Sequence, residues 1–273
     1  MDLKYEPSTT GVFHYYLPPL DGSRPYKNIN DRNDKNYIRD THEVVVENIR
    51  GNESEFTLDV SGFQYYTHNS RCKSFNTDAE VRENYYPESI DVIKRLTGAS
   101  KVILFDHTIR RHRPEDHEES PEKRQPVVNV HVDQTPDSAV ARVYRHIPEE
   151  ADQLLKHRFQ ILNLWRPISH DTFDFPLGFI DTRTMNNSDL MPMTLKFPGG
   201  PGETYGVKYN PAHKWIYLRG MATDEIVLFK CYDTLQDNNI CTFNAHSAFV
   251  DPSAPRDSPL RESIELRALV FYV

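Results

Sequence analysis

The chain has 273 residues, a formal net charge of −8 and a hydrophobic fraction of 38%. This acidic balance argues against nucleic acid as a partner, because a general phosphate-binding surface needs an excess of lysine and arginine. With 15 Tyr, 14 Phe and 2 Trp to bury, a chain of this length can fold as one undivided unit. We expect a single domain over residues 1–273.

The cysteines and the lack of long apolar runs bear on the compartment. Cys72, Cys231 and Cys241 are odd in number and scattered, without metal-ligand spacing, which is typical of a reducing compartment. The first residues lack the apolar core of a secretory signal, and no run approaches the length of a membrane span. We therefore expect a soluble, cytoplasmic protein that does not engage a membrane.

The first sixty residues predict an arm followed by a hairpin. Residues 1–40 are rich in Pro, Asn, Asp and Tyr, which indicates an irregular N-terminal arm in front of a core formed by residues 41–273. His42–Ile49 is rich in valine and predicts a strand. Gly51-Asn52 is a turn signal, so Glu55–Val60 is expected to return as the second strand of a hairpin.

The next segments predict a strand-helix-strand passage. The aromatic stretch Gly62–His68 can line a substrate mouth or belong to the core, and the core is the favoured interpretation. Asn76–Ala99 carries helix signals, with a capping segment at its start, Pro87 where a second helix would begin and Gly98 as its C-cap. Lys101–Phe105 then predicts a strand buried on both faces, which the following polar residues end.

The second half is rich in predicted strands. Pro148–Lys156 favours a short helix, Arg158–Ile168 alternates as a strand does, and Thr182–Gly202 is typical of a loop. That loop could be a lid, although a plain surface connection is favoured. Further short strands are predicted at Tyr205–Tyr209, Lys214–Leu218, Glu225–Tyr232, Ile240–Ala248 and Arg261–Val273. Many short strands at this spacing indicate a sandwich or a barrel.

One predicted strand, Val127–Asp133, carries a pair of metal-ligand types. Residues two apart in a strand point to the same face, so His131 and Asp133 would project together. An imidazole beside a carboxylate supplies two of the three ligands of a 2-His-1-carboxylate iron site. The third ligand would be a distant histidine, and His246 is the best candidate. The alternative is a solvent-facing His/Asp pair on an edge strand.

The spacing alone is weak, because chance also produces it. A second match, His117-x-Glu119, lies in Arg110–Gln125, a stretch of charge and proline that predicts a solvated loop. Taken alone, His246 is better explained as a hydrogen-bonded core histidine. Together with the pair at His131 and Asp133, the ligand interpretation is favoured.

The last strand carries a candidate anion site. Arg261, Ser263, Glu265 and Arg267 share one face by the two-residue period. A guanidinium with a nearby hydroxyl suits a carboxylate bound end-on. The alternative is a structural Arg–Glu ladder along that face.

In their order along the chain, His131-x-Asp133, His246 and Arg261-x-Ser263 resemble the Fe(II)/2-oxoglutarate-dependent dioxygenases. Longer strings over residues 40–273 resemble the fungal hydroxylase/desaturase group that includes gibberellin desaturase and AsaB-like enzymes. These strings are Asn129-Val-His-Val-Asp-Gln-Thr135, Asn163-Leu-Trp-Arg-Pro167, Lys230-Cys-Tyr-Asp233 and Arg261-Glu-Ser-Ile-Glu-Leu-Arg267.

The resemblance implies a mainly β fold with flanking helices, a double-stranded β-helix or cupin-like jelly-roll barrel. It implies that Fe(II), 2-oxoglutarate and O2 serve the hydroxylation or desaturation of a small natural-product substrate. His131, Asp133 and His246 would hold the iron, and Arg261 with Ser263 would bind the distal carboxylate of 2-oxoglutarate. The residues that the sequence leaves as alternatives or helpers in binding the keto-acid are Arg267, Asn129 and Arg158.

Two other functions stay open at this stage. The first is a cupin-like metal enzyme that needs no keto-acid, in which both terminal-strand arginines would be structural. The second is a non-catalytic barrel that serves as a binding module. An N-terminal arm without a partner could also serve a dimer contact, so a homodimer is an open prediction.

Overall fold

Fourteen strands and five short α-helices account for most of the computed structural model, which describes residues 3–31, 33–116, 123–237 and 239–273. The strands are β1 (Ser8–Leu17), β2 (Tyr26–Asn28), β3 (Ile38–Asn48), β4 (Phe63–Thr67), β5 (Lys101–Arg111), β6 (His131–Val132), β7 (Phe159–Pro167), β8 (Leu177–Ile180), β9 (Leu190–Phe197), β10 (Gly200–Val207), β11 (Trp215–Tyr217), β12 (Glu225–Asp233), β13 (His246–Ala248) and β14 (Glu262–Phe271). The helices are α1 (Leu58–Ser61), α2 (Asp78–Glu80), α3 (Tyr86–Thr97), α4 (Pro136–His146) and α5 (Ala151–Leu154).

Two sheets face each other across the main core. The nine-stranded sheet has the order β1-β3-β11-β8-β13-β6-β10-β9-β2, and the five-stranded sheet has the order β4-β12-β7-β14-β5. Side chains from both sheets meet in one apolar cluster, with Phe179 from the large sheet against Phe63 and Phe229 from the small one. The large sheet also curls, so that His14 of β1 forms a bridge with Asn129. A mainly β fold with flanking helices, built as a curled sandwich, is therefore confirmed.

The small sheet has an apolar core on each of its faces, because successive side chains of its strands point to opposite faces. On β14, Leu269 and Phe271 point into the core between the sheets, whereas Leu266 and Ala268 pack with the residues of α3 on the other side. Burial of each large apolar side chain stabilises the fold by about 1.5–3 kcal/mol relative to exposure. The odd-numbered positions of β14 therefore face the space between the sheets, and the polar residues nearer its start share that face.

The helical segment between β4 and β5 confirms its prediction. Thr77 caps α2 and forms a capping box with Glu80, and a π-helical turn at Val81–Tyr85 joins α2 to α3. Pro87 lies in the first turn of α3, where a missing amide hydrogen costs nothing. Gly98 ends the helix with a positive φ of 73°, a conformation that glycine adopts most easily.

The prediction of an irregular arm over residues 1–40 is wrong. β1 pairs with β3 along ten residues, from Ser8 opposite Glu47 to Leu17 opposite Ile38. Alternate residues of β1 are buried, and Phe13 stacks on Trp215 with ring centroids 3.7 Å apart. The proline and asparagine residues before and after this strand suggested irregular structure. The strand itself is amphipathic and forms one edge of the large sheet.

The hairpin predicted after β3 is also wrong. Glu55–Val60 does not form a strand; Thr57 instead caps the short helix α1 through the backbone N–H of Val60. β3 pairs with β1 and β11, which are distant in the chain, and not with a strand formed by the residues that follow it. Gly62–His68 contains β4, where Phe63 and Tyr65 are buried, and the core interpretation is confirmed.

Three other segments differ from their predictions. Thr182–Gly202 is not a loop or lid, because most of it forms β9 and the start of β10, joined at Gly200 with a φ of 114°. β5 continues past Phe105 to Arg111, and only alternate residues at its start are buried. Of Val127–Asp133, only His131 and Val132 pair as a strand.

The remaining strand predictions hold with shifted ends. β7, β11, β12 and β14 lie where the sequence places strands, and α5 lies within Pro148–Lys156. Of Ile240–Ala248, only the last three residues form β13. The second His-x-acid match, His117-x-Glu119, lies outside the described residues. Among the helices that are described, none combines the length and apolarity needed to span a membrane.

Candidate metal centre

Three potential metal ligands converge between the sheets. One ligand atom each from His131, Asp133 and His246 lies within 4.8 Å of the other two, and together they form the cluster among the described residues that fits a metal ion. Nε2 of His131 is 3.3 Å from Oδ1 of Asp133, and the two imidazole centroids are 4.5 Å apart. Two imidazoles and one carboxylate on one side of a point are the donor set of non-haem Fe(II) oxygenase sites.

The strand pairing explains why residues 115 positions apart in sequence meet. His246 of β13 lies directly opposite His131 of β6 in an antiparallel pair. Asp133 follows β6 by one residue and points to the same side as His131, as the two-residue period predicts. Val132 lies between them and belongs to a separate apolar cluster on the other face of the large sheet.

Backbone carbonyls orient both imidazoles. Nδ1 of His131 donates to the carbonyl oxygen of Asn129 at 2.8 Å, and Nδ1 of His246 faces the carbonyl oxygen of Asn244 at 3.4 Å. With the proton on Nδ1, the lone pair of each Nε2 is available to a metal. These two contacts hold the imidazole rings so that each Nε2 faces the potential metal site.

The protonation states also suit a metal. Burial disfavours the charged imidazolium and, together with the nearby His131, lowers the pKa of His246 from 6.5 to about 3. Burial opposes ionisation of Asp133, but the neighbouring His131 and the charge of Arg267 hold the pKa of that carboxyl well below 3.8. A neutral imidazole and an ionised carboxylate are the forms that bind metal at neutral pH.

Asp133 is held from its second oxygen. Asn163 of β7 donates from Nδ2 to Oδ2 of Asp133 at 2.7 Å, and the Arg267 guanidinium lies 3.9 Å from the same oxygen. Both contacts leave Oδ1, the atom nearest His131, free to face an ion. Sequence reasoning did not assign a role to Asn163, although it lies in one of the strings that carry the family resemblance.

Arg261 is a buried cation without a carboxylate partner among the described residues. Its side chain is 2% exposed, its Nε donates to Oγ of Ser263 at 3.0 Å, and its Nη1 donates to the carbonyl oxygen of Phe175 at 2.7 Å. It also lies over the ring of Trp165. An arginine has five N–H donors, so part of this guanidinium is available to an anion. Burial and the nearby Arg110 lower its pKa to about 9.

Arg267 has the opposite environment. It forms ion pairs with Glu265 at 2.5 Å and with Asp106 at 3.0 Å, in addition to its longer contact with Asp133. The pair of Arg267 and Glu265 matches the ladder that the sequence left open for this face. Its charge is therefore balanced by three carboxylates, whereas the Arg261 guanidinium forms no ion pair with any described residue and feels Glu265 and Asp174 only at longer range.

Two cavities meet at the cluster. The smaller, about 20 Å³, is lined by His246, Arg261, Leu177 and Ala248, among others, and the larger, about 740 Å³, extends away from it toward the surface. Both are lined by His131, Asp133, Val127, Arg110 and Arg267. The three potential ligands thus lie between a small pocket that contains the Arg261 cation and a chamber large enough for a small molecule.

The two remaining predicted helpers have different locations. Asn129 lines the larger cavity, accepts the His131 hydrogen bond through its carbonyl and contacts Arg39 through its side chain at 3.4 Å. Arg158 lines neither cavity; it pairs with Asp233 at 2.7 Å and with Asp59 at 3.2 Å. We therefore leave Arg158 out of the site.

Comparison with known proteins agrees with this geometry. Residues 13–271 match a family described as "Oxidoreductase/YMDC permease-like domain". The chain is 36% identical over 255 residues to hydroxylase/desaturase efuI of Hormonema carpetanum, covering 85% of this chain and 84% of that protein. It is 33% identical over 263 residues to alpha-ketoglutarate-dependent dioxygenase phiK of a fungal species, with 94% of each chain covered.

A solved structure has the same fold. The iron and alpha-ketoglutarate-dependent endoperoxidase NvfI superposes with a TM-score of 0.87 at 26% identity, over 98% of this chain and 99% of that one. This likeness confirms the jelly-roll barrel, and the relatives' names imply Fe(II), 2-oxoglutarate and O2. The chain belongs to the fungal Fe(II)/2-oxoglutarate-dependent dioxygenases that include the hydroxylase/desaturases.

Proposed function

We propose that this dioxygenase hydroxylates or desaturates a small natural-product substrate, as a single catalytic domain with one iron held by His131, Asp133 and His246. The observation that supports it most directly is the convergence of these three side chains within 4.8 Å at the junction of the two cavities. Bound Fe(II), with 2-oxoglutarate and O2, supplies the oxidation that removes hydrogen from an unactivated carbon.

In this proposal the protein orients the metal ligands and keeps water away from the reacting groups. The two carbonyl contacts orient both imidazoles, burial favours the neutral form of His246, and Asn163 with Arg267 fixes the carboxylate. Phe229 and Phe179 pack beside His246 and exclude water from that side. Three protein ligands on one side of an ion leave positions for small molecules on the other.

For 2-oxoglutarate we propose Arg261 rather than Arg267. A buried guanidinium without a carboxylate partner among the described residues gains more from an incoming carboxylate than one that is already paired. Ser263, hydrogen-bonded to Arg261 and 1% exposed, fixes the fork and offers a hydroxyl. Arg267 would then support Asp133, and Asn129 would act on His131 through its carbonyl rather than on the keto-acid.

The test is a titration of anaerobic Fe(II)-loaded protein with 2-oxoglutarate, followed by the weak visible band that the metal–keto-acid complex gives. We expect Arg261→Met to weaken 2-oxoglutarate binding by about 100-fold, because a charge-assisted bidentate contact is lost from a buried site. Arg71→Met is the matched control, because its side chain is 85% exposed and lines neither cavity. Its affinity should not change.

The same titration separates the alternatives. No band in metal-loaded protein, together with unchanged activity in Arg261→Met, would favour a metal enzyme that needs no keto-acid. Absence of stoichiometric iron from the unaltered protein would favour a non-catalytic barrel. Either result would overturn the proposal.

Two predictions about the protein's setting stay predictions. Cytoplasmic location follows only from the sequence argument on cysteines and signals. The homodimer prediction assumed an N-terminal arm without a partner. That assumption does not hold, because β1 of the arm is paired with β3. Light scattering on the purified chain measures the oligomeric state directly.

A further inference from the structure

The larger cavity is unusually basic for an acidic protein. Among the described residues it is lined by eight lysines and arginines and by three aspartates, although the whole chain has 32 basic and 40 acidic residues. The basic residues are Lys27, Lys35, Arg39, Arg110, Arg113, Arg124, Arg142 and Arg267. A concave surface with one sign of charge concentrates ligands of the opposite sign.

The three aspartates of this cavity do not neutralise it. Asp106 pairs with Arg267 at 3.0 Å, and Asp116 pairs with Lys123 at 3.2 Å, a residue that does not line the cavity. Asp133 belongs to the metal cluster. Their charges are therefore engaged before any ligand enters.

Five of the six arginines make no ion pair with a carboxylate in the part of the chain that the structure describes. Arg142 lies over the ring of Phe105, Arg39 contacts the Asn129 amide, and Arg110 donates to the carbonyl oxygen of Gln125 at 3.0 Å. Arg113 and Arg124 are half-buried. Protein side chains of this type rarely leave solvent without a partner. No carboxylate of the described residues pairs with them, so with respect to this part of the chain their charges are available to a ligand.

The basic groups also raise each other's electrostatic energy. Burial and repulsion from Arg145 and Arg267 lower the pKa of Arg142. Burial lowers the pKa of Arg110, and repulsion from Arg267 and Arg124 lowers it further. A bound anion would relieve this repulsion.

The same cavity has an apolar part. Its lining includes Ile29, Val128, Phe175, Leu195 and Phe197. Apolar walls with a few polar groups are the usual form of a small-molecule site. A ligand matched to this lining has both an apolar body and negative charge.

We propose that the substrate of this oxygenase is a small organic acid, whose carboxylate is bound in the larger cavity by Arg113, Arg124 and Arg142, with Arg39 at its exposed edge. The inference rests on the proposed function, which assigns the carboxylate of 2-oxoglutarate to Arg261 in the smaller cavity. The arginines of the larger cavity are then left for a second anion, and the apolar walls hold the carbon skeleton near the metal ligands.

The test uses a probe acid and its neutral counterpart, 2-naphthoate and 2-naphthamide. The protein is loaded with Mn(II) and saturated with 2-oxoglutarate, so that binding is measured without turnover. Calorimetry gives each affinity, and broadening of the probe's proton resonances by Mn(II) reports that it lies near the metal. We expect the acid to bind at least about tenfold more tightly than the amide.

Charge-removing variants locate the contact. Arg113→Gln and Arg124→Gln should each weaken 2-naphthoate binding about three- to tenfold, and Arg124→Lys should restore most of the loss. Arg71→Gln, far from the cavity lining, should bind the probe as the unaltered protein does. The affinity for 2-oxoglutarate, measured on the same samples, should change less than about twofold.

The result that overturns the inference is equal binding of acid and amide, or Gln variants that bind the acid unchanged. It is also overturned if 2-naphthoate binds only in the absence of 2-oxoglutarate, because the probe would then occupy the Arg261 pocket. In these cases intact 2-oxoglutarate binding leaves the proposed function standing. Loss of metal or 2-oxoglutarate binding in the unaltered protein overturns the proposed function itself.

Discussion

The five-stranded sheet has buried charged side chains at both ends of its strands. Among the described residues, they are paired with opposite charges at one end but not at the other. At one end, Lys230 and Asp233 have fully buried side chains 2.8 Å apart, and Arg158 and Gln160 complete the contacts of Asp233. At the other end, Arg261 is also buried, but its guanidinium contacts only a hydroxyl, a carbonyl and a ring among the described residues. The same strands, β7 and β14, pass through both regions.

The difference separates a structural ionic cluster from a binding site. A buried charge that lacks an opposite charge costs free energy, so a fold retains it only where a ligand or a function compensates. The Lys230 cluster is satisfied within the protein and holds the ends of strands together. In our proposal, the Arg261 region and the potential metal ligands beside it are complete only when metal and an anion are bound. The following predictions test this contrast.

The largest expected effect is on metal binding. His246→Ala should weaken Fe(II) or Mn(II) binding by more than about 100-fold, because it removes a direct ligand, and loss of a group that merely supports one already costs 10–100-fold. His157→Ala is the control, since that histidine is exposed and outside both cavities. Anaerobic titration with metal analysis measures both variants; equal metal content would contradict the site.

The next effect concerns stability. Lys230→Met should lower the free energy of unfolding by about 3 kcal/mol, because it breaks a buried ion pair and a bond to the carbonyl of Cys241. Arg261→Met should lower it by less than about 1 kcal/mol, because no buried carboxylate loses its partner. Urea unfolding of the metal-free protein measures both. Similar losses in the two variants would remove the contrast between the two regions.

A smaller effect is expected at the support of the carboxylate. Asn163→Ala should weaken metal affinity by about 10–100-fold, because Asp133 loses the donor that fixes its second oxygen. Asn239→Ala, at an exposed position, should leave affinity unchanged. Competition with a chelator gives the affinities. An unchanged affinity in Asn163→Ala would mean that Arg267 alone orients the carboxylate.

The last expected effect is on pH dependence. The pKa of His246 is lowered to about 3 in the fold and is near 6.5 when unfolded, so the unfolded chain takes up its proton first as pH falls. As pH falls from 6 to 4, the free energy of unfolding of the metal-free protein should therefore decrease faster than that of His246→Ala. The difference in slope should be about 1.4 kcal/mol per pH unit. Urea unfolding at both pH values checks the slopes; parallel slopes would contradict a neutral, buried His246.

Sequence periodicity and local chemistry were enough for several features. The capping box at Thr77, Pro87 and Gly98 placed the helical segment, because caps act through near neighbours in the chain. The alternation of β14 placed Arg261 and Arg267 on one face. The three potential metal ligands were proposed from the His-x-Asp spacing and the resemblance, and the fold brings them together in space.

Partners distant in the chain decided the rest. β1 is a strand because β3 lies beside it, and β9 with β10 forms a ladder where the sequence suggested a loop. Strand formation depends on such partners, which local propensity does not encode. The hairpin after β3 failed for the same reason.

The clearest limit is the choice between the two arginines of β14. Their spacing and chemistry are alike in the sequence, and both match the pattern of an anion site. Only the folded chain shows that Glu265, Asp106 and Asp133 surround Arg267, while Arg261 is buried against a hydroxyl, a carbonyl and an aromatic ring. Sequence determined which groups are available, and tertiary structure determined which charge stays unpaired, because electrostatic energy depends on distances between residues that are remote in the chain.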